Sequence, residues 1–471
     1  MHSLILSDIH LTEIEETDPS RPLWMAYKRK EFLVDDDVLK LIEYVEARTE
    51  GKLELILNGD IFDFDSVRQL PKTPFAPIDW LARARGLGSE AWMSEFKIET
   101  ILKDHQPLFA ALKQFLQRGN HIVFIAGNHD LELLWPGVQT RILKALGATA
   151  QTEKVRFCNW FYISNKDTYV SHGHQYDHFC AAKNAIDPLI EIRGRPQIRL
   201  PFGDLCHRYL INGMGYFNPN AAGNYIMGLF DYIKFFFRYM AKTQPLLLIT
   251  WFWGSMATFF VTLNHHWRPA MRDPLTVDDK VRDIAKNSQA TPSMVRQLHA
   301  LSIPPACSNP YLILRELWLD RGLLLLLLFF AACQIILVLN YAWPISPLNV
   351  LIPIGLMLPL FFLYAFQVRP TVFTEPLINE KRASLIHRIT GVQNIVCGHT
   401  HEAEVRQIRG VKYINGGFWS PNFKTPECKE RVGAQTFVWI RPSGENERSA
   451  ALYEWPDDGV APLTFEPNSR R

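Results

Sequence analysis

An α/β fold interrupted by an inserted helical membrane region is what this sequence predicts, on three observations. Between residues 1 and 181, short apolar runs alternate with segments of helical period, and each run ends in Asp, Asn or His. The same character returns over 386–471. Between these parts, 243–264 and 322–368 hold no charged residue and no histidine. We therefore expect a soluble core built from 1–181 and 386–471, with 182–385 as an inserted helical lid and membrane region.

Taken in order, Leu4-Ile5-Leu6 is the first strand and ends in Ser7-Asp8-Ile9-His10. A helix is expected over 35–49, where Leu, Ile and Val recur at helical spacing. The run 53–57 reads as a buried strand ending at Asn58-Gly59-Asp60. One helix over 98–118 leads to a strand at 122–126, closed by Gly127-Asn128-His129-Asp130. After a further helix, a hairpin is expected near 155–165, then a strand at 168–171 ending in His172-Gly173-His174. A strand at 394–397 ends in Gly398-His399-Thr400-His401, with further strands expected at 411–414, 436–440 and 450–453. In layered α/β folds, sites gather just beyond strand C-termini.

Composition narrows the function classes. Lys and Arg (50) nearly balance Asp and Glu (48), for a net charge of +2, which argues against a polynucleotide binder. Charged residues make up 21%, below the roughly 25% usual for soluble domains, in keeping with the two charge-free stretches. The seven cysteines are scattered without a C-x-x-C pair, so neither a disulfide framework nor a zinc knuckle is expected. No basic stretch precedes a long apolar run at the N-terminus, so no secretory signal is expected.

About 20 apolar residues cross a bilayer core, and 322–368 has room for two such helices around Trp343-Pro344-Ile345-Ser346-Pro347. Arg315 and Arg321 precede this pair and Arg369 follows it, which places both its ends, and the catalytic domain, on the cytoplasmic face. The segment 243–264, flanked by Lys242, Arg268 and Arg272, is expected to be re-entrant or interfacial. Residues 222–241, with Asp231, Lys234, Arg238 and Phe235-Phe236-Phe237, read as an in-plane amphipathic helix.

Singly, the polar clusters are common. In the order Asp8-Ile9-His10, Gly59-Asp60, Gly127-Asn128-His129-Asp130, His172-Gly173-His174 and Gly398-His399-Thr400-His401, the set resembles the calcineurin-like metallophosphoesterase superfamily. The likeness covers about 1–180 and 390–420. It implies a four-layer α-β-β-α sandwich holding two divalent metal ions, with manganese the first choice and iron or zinc the alternatives. Two divalent ions about 3.5–4 Å apart need a bridging carboxylate among oxygen and imidazole ligands. By resemblance, Asp60 bridges; Asp8, His10 and His401 complete one site, and Asn128, His172 and His399 the other. His174 stays open as an alternative to His172. The resemblance makes His129 a phosphate contact and proton donor to the leaving oxygen rather than a ligand. Asp130 is expected to hold the His129 ring in its useful tautomer. His178, His207, His265 and His266 match no motif and read as surface or interfacial residues.

The run Gly59-Asp60-Ile61-Phe62-Asp63-Phe64 and the insertion before the last His pair are similar to the UDP-2,3-diacylglucosamine hydrolase branch. Two departures stand out: His129 occupies a position where that branch often carries Arg, and the insertion is much longer. The expected function is a membrane-associated phosphoesterase that hydrolyses a phosphoester or pyrophosphate bond by metal-bridged hydroxide attack. Its expected partners are the lipid bilayer and an amphiphilic phosphate or diphosphate substrate, without nucleic acid. Arg193, Arg195, Arg199 and Arg208 are candidate contacts to phosphate oxygens, with a membrane-facing basic face as the alternative. Tyr216, Phe217, Tyr225, Phe230 and Tyr232 read either as an acyl groove or as interfacial aromatics. A tethered phosphatase on a soluble phosphoprotein or nucleotide, and a non-catalytic membrane scaffold, are the competing classes.

Overall fold

Short apolar runs make strands buried on both faces, and such strands need cover on each side. The computed structural model describes residues 1–150, 152–219, 228–241, 246–271, 276–344, 346–368, 376–444, 447–456 and 463–464. Its strands are β1 (His2–Leu6), β2 (Leu53–Asn58), β3 (His121–Ile125), β4 (Val155–Cys158), β5 (Phe161–Ser164), β6 (Thr168–Ser171), β7 (Leu189–Ile192) and β8 (Arg195–Ile198). They continue with β9 (Asn394–Cys397), β10 (Ala403–Ile408), β11 (Val411–Gly416), β12 (Gln435–Pro442), β13 (Arg448–Trp455) and β14 (Leu463–Thr464).

One mixed sheet runs β14-β13-β12-β1-β2-β3-β4, and a second runs β10-β11-β9-β6-β5. The C-terminal segment is woven into both. β12 pairs with β1 antiparallel, and β9 lies parallel to β6 and β11. These mixed sheets are consistent with a metallophosphoesterase fold. Ile5, Ile56 and Val123 of the first sheet share a buried cluster with Tyr162, Val170, Val396 and Ile414 of the second. The other face of the first sheet is covered by the helices Asp35–Glu46, Ala91–Asp104, Gln106–Gln117 and Pro136–Ala145. Helices Val277–Asn287, Pro292–His299 and Glu380–Thr390 pack on the second. Part of the insertion, 277–299, thus belongs to the soluble core.

Two local expectations are corrected. The single helix over 98–118 is two helices broken at His105, whose ring bonds Asp35 and the Thr12 carbonyl, while Pro107 starts the second helix. The hairpin near 155–165 is not formed: β4 lies parallel to β3 in the first sheet, and the hairpin is β5–β6 in the second. Its turn places Asn165 and Lys166 at positive φ, the backbone that reverses a strand tightly.

The insertion continues with the ribbon β7–β8 and a helical stretch over 202–214 whose turn at His207–Ile211 is wide. Among the described residues, three helices are long and apolar enough to cross a membrane: Leu247–Trp267, Leu319–Ala342 and Leu348–Gln367. The last two pack on each other, and their outer faces expose Leu326, Phe330, Leu337, Leu356 and Leu363. At their base Arg321 donates to the Val368 carbonyl and Tyr364 to Asp320.

Leu247–Trp267 is built inside out. Ser255, Thr258, Thr262 and His265 face inward and are buried, while Leu248, Phe252, Trp253 and Phe260 are exposed. Its Gly254 lies against the Tyr209 carbonyl, where a Cβ would collide. Of the expected in-plane helix, the described part is Leu229–Phe235 with a wide turn to Met240, exposing Phe230 and Phe237. Tyr225, Lys242, Arg272 and Arg369 lie outside the described residues.

Candidate metal centre

Loops at strand C-termini deliver the polar residues, and many of them sit in strained backbone. Asp8, His10, Asp60, His399 and His401 all have φ between 51° and 74°. Such left-handed non-glycine residues are uncommon and cluster at functional sites, where their surroundings hold them. Glycine neighbours make the convergence possible. A Cβ on Gly398 would overlap the Ser7 hydroxyl and the Asp8 carboxylate, and one on Gly127 would overlap Asp60.

Among the groups of ligand-type atoms in the described residues, two gather the expected ligands. Asp8, His10 and His401 form one, with His401 Nε2 3.1 Å from Asp8 Oδ1 and 3.3 Å from His10 Nε2. Asp60, His172 and His399 form the other, with His172 Nε2 3.0 Å from Asp60 Oδ2. Asp60 reaches both groups, its Oδ2 lying 3.9 Å from His10 Nε2. His172 Nδ1 faces the Asn58 carbonyl at 3.1 Å, which leaves Nε2 directed at Asp60. His399 Nε2 contacts Asp177 Oδ2 at 2.8 Å. Asn128 donates through Nδ2 to Asp204 at 2.9 Å, and its Oδ1 is buried without a hydrogen-bond partner. This set of carboxylate, amide and imidazole donors, with an orphaned amide oxygen, fits two divalent cations.

The electrostatics point the same way. Burial would raise the Asp60 pKa, yet the His172 and His129 imidazoles outweigh it and hold the carboxyl well below its usual range. Burial would lower His172, but Asp60 and Asp8 lift it to about 9. Carboxylates that draw protons onto buried imidazoles generate a field that also draws metal ions. His174, two residues on, is pushed well down by burial and by His172.

Several expected roles change on inspection. Asp130 does not reach the His129 ring. Its carboxylate accepts from the backbone N–H groups of Gly127, Ile61 and Phe62, so it braces the two ligand loops against each other. Burial and the Asp60 charge raise it to about 7. The His129 ring instead faces Asp63, Asp65 and Asp204, with Nδ1 3.6–3.7 Å from each carboxylate. His207, expected as a surface or interfacial residue, is buried inside the protein. It stacks edge-on to His129 at 5.0 Å and bonds Ser66 at 2.9 Å. His265 is buried as well.

The arginines do not converge on one site. Arg193 pairs with Asp79, Arg195 with Glu90, and Arg199 donates to the Arg268 carbonyl. Only Arg208 reaches the centre, and it is bonded to Asp65 beside the buried pair Lys97–Glu132. Removing one partner of a buried ion pair strands the other. Arg208→Leu should therefore lower stability by about 3–5 kcal/mol, read as a fall in melting temperature in detergent micelles.

Tyr216 and Phe217 are buried in a cluster with Trp24 and Phe235, not in an open groove. Sequence reasoning passed over Asp63, although it stands in the quoted run after Asp60, and Asp65, which follows that run directly. Asp177, Asp204 and Cys180 carried no signal, because they meet the site only through the fold. Cys180 lies within ligand reach of Asp177 and His399, but burial holds its thiol well above its usual pKa.

Mixed sheets that deliver Asp, Asn and His from successive strand ends onto two adjoining ligand groups define a metallohydrolase class of site. Residues 1–201 match the calcineurin-like phosphoesterase family model, and the chain carries a phosphoesterase domain of that family there. That family generally binds two divalent metals, and the His and Asp groups fit such a site. Two solved structures of Vps29 from Entamoeba histolytica, a double and a single mutant, are similar at 18% identity and a TM-score of 0.15. Each match covers 20% of this chain and 51% of the other, so the chain spans about half the length of those structures. No curated protein matches.

Proposed function

We propose that this protein is a membrane-bound phosphoesterase or pyrophosphatase acting on an amphiphilic, lipid-linked substrate from the cytoplasmic side. The observation that carries the reading is the pair of ligand groups sharing Asp60, built beside an insertion with three long apolar helices. The core reads as a four-layer α-β-β-α sandwich, with Asp8, His10, Asp60 and His401 holding one ion. Asp60, Asn128, His172 and His399 hold the other, and manganese is the first choice. Bound there, two divalent ions supply a water of lowered pKa and neutralise charge on a phosphoryl group.

The chain's own residues supply the rest. His129 keeps part of its ring exposed, while Asp60, Asp65, Asp204 and Asp63 overcome burial to raise its pKa well above the ordinary 6.5. An imidazolium at the mouth of the site is suited to give its proton to the departing oxygen. Turnover should therefore fall as pH rises and His129 loses its proton, since the proton donor is then gone. His129→Ala should reduce kcat by about 10²–10⁴-fold, with the loss smallest for substrates whose leaving group needs no proton. The pH–rate profile with an alkyl and an aryl leaving group checks both statements.

A second reading, a tethered enzyme on a soluble substrate, rests on the metal centre without the membrane. Lipid extract screened by mass spectrometry for a species consumed by the wild type but not by Asp60→Ala separates the two. Consumption of soluble phosphoesters alone would overturn the lipid-linked reading.

A further inference from the structure

The stretch 202–214 lies beyond the part of the chain matched to the phosphoesterase family, yet it closes one wall of the metal centre. Asp204 is fully buried there, and among the described residues it forms no ion pair with lysine or arginine. A buried carboxyl group needs hydrogen-bond partners within the protein, and burial raises this one well above its usual pKa against the opposing pull of His129 and Asn128. Its Oδ1 accepts from Asn128 Nδ2 at 2.9 Å and lies 3.6 Å from His129 Nδ1.

An asparagine amide presents one oxygen that can bind a cation and one NH₂ that cannot. A carboxylate accepting from Nδ2 turns the amide so that Oδ1 is the atom left over, and Oδ1 has no hydrogen-bond partner. We infer that Asp204 is a positioning residue, fixing the Asn128 amide as an oxygen donor and bounding the His129 ring with the same carboxylate. This rests on the metal-centre reading above and adds to it a residue supplied by the insertion.

The position of Asp204 is itself held on both sides. Three and four residues on, His207 bonds Ser66 and Arg208 bonds Asp65, which tie the stretch to the loop after Asp60. On its far side, Tyr209 and Leu210 meet Gly254 of the apolar helix Leu247–Trp267. The insertion therefore completes the centre as well as covering it.

Manganese titration of the full-length protein in detergent micelles, followed by electron paramagnetic resonance, tests this. In Asp204→Ala one of two sites should weaken about 10–100-fold, the range for lost ligand-orienting partners, while the other stays within about threefold. Asp204→Asn keeps an oxygen acceptor of the same shape and should restore the weakened site. In turnover, kcat should fall for Asp204→Ala with KM for an aryl phosphodiester little changed. If Asp204→Ala does not fold, Asp204→Ser leaves a group too short to reach Asn128 and should show the same weakening. Wild-type affinity at both sites in Asp204→Ala or Asp204→Ser, or a loss in Asp204→Asn as large as in Asp204→Ala, overturns the inference. Two bound ions without any turnover in the wild type would overturn the proposed function, while the affinities would still decide the role of Asp204.

Discussion

Asp60→Ala is expected to bring phosphodiester turnover below ~10⁻³ of wild type and to strip metal from the protein. The size of the effect follows from position. Asp60 Oδ2 lies 3.0 Å from His172 and 3.9 Å from His10, so one carboxylate serves both ligand groups. Its Oδ1 also accepts the His129 N–H at 2.9 Å and so shapes the loop that carries Asn128. Metal analysis of the purified protein should show content falling with activity. Asp60 has φ 51°, and alanine there carries strain of order 1 kcal/mol. Asp60→Asn tolerates that backbone and removes only the charge, so it should lose activity without losing the fold. Undiminished activity in either variant would sink the site assignment.

Replacing 319–367 with a short polar linker is expected to move the protein from the membrane pellet towards the soluble fraction. Leu, Ile, Phe and Val each favour the bilayer by about 0.3–0.6 kcal/mol at a helix centre, so the run Leu323–Phe330 alone contributes several kcal/mol. The two helices of this pair bury only 6% of their most apolar windows within the protein. Leu247–Trp267 buries 33% and packs on 202–214, so it should retain a weaker hold on lipid. Replacing the whole insertion would be uninformative, because it would also remove Asp204 and the helices 277–299 that cover the second sheet. Turnover of an aryl phosphodiester by the shortened protein should persist, while cleavage of lipid-linked diphosphate should fall. Unchanged sedimentation with membranes would overturn the anchoring role.

What was legible beforehand was what depends on neighbours in sequence. Strand ends followed by Asp, Asn or His locate the ligand loops, since a strand fixes the direction of the residue that follows it. The apolar helices Leu319–Ala342 and Leu348–Gln367 were equally plain, because length and absence of charge are local properties. The break at His105 was missed because its cause is remote: the ring is held by Asp35 and the Thr12 carbonyl. The hairpin was misplaced because β4 and β5 are adjacent in the chain but belong to different sheets. The arginines failed as a group for a related reason. Clustering in sequence says nothing of the acids each will meet, and Asp79, Glu90 and Asp65 lie on separate elements.

The sequence by itself determined the α/β alternation, the five polar motifs and the charge-free stretches, all of which are written in the order of residues. Only the tertiary structure decided which polar groups share a volume. Asp63, Asp65, Asp204 and His207 come together around His129 because the insertion folds back onto the loop after Asp60. Asp130 was removed from the His129 ring because its carboxylate satisfies three buried backbone N–H groups instead. Buried donors without water must find protein acceptors, and which acceptor is nearest is a property of the packed chain.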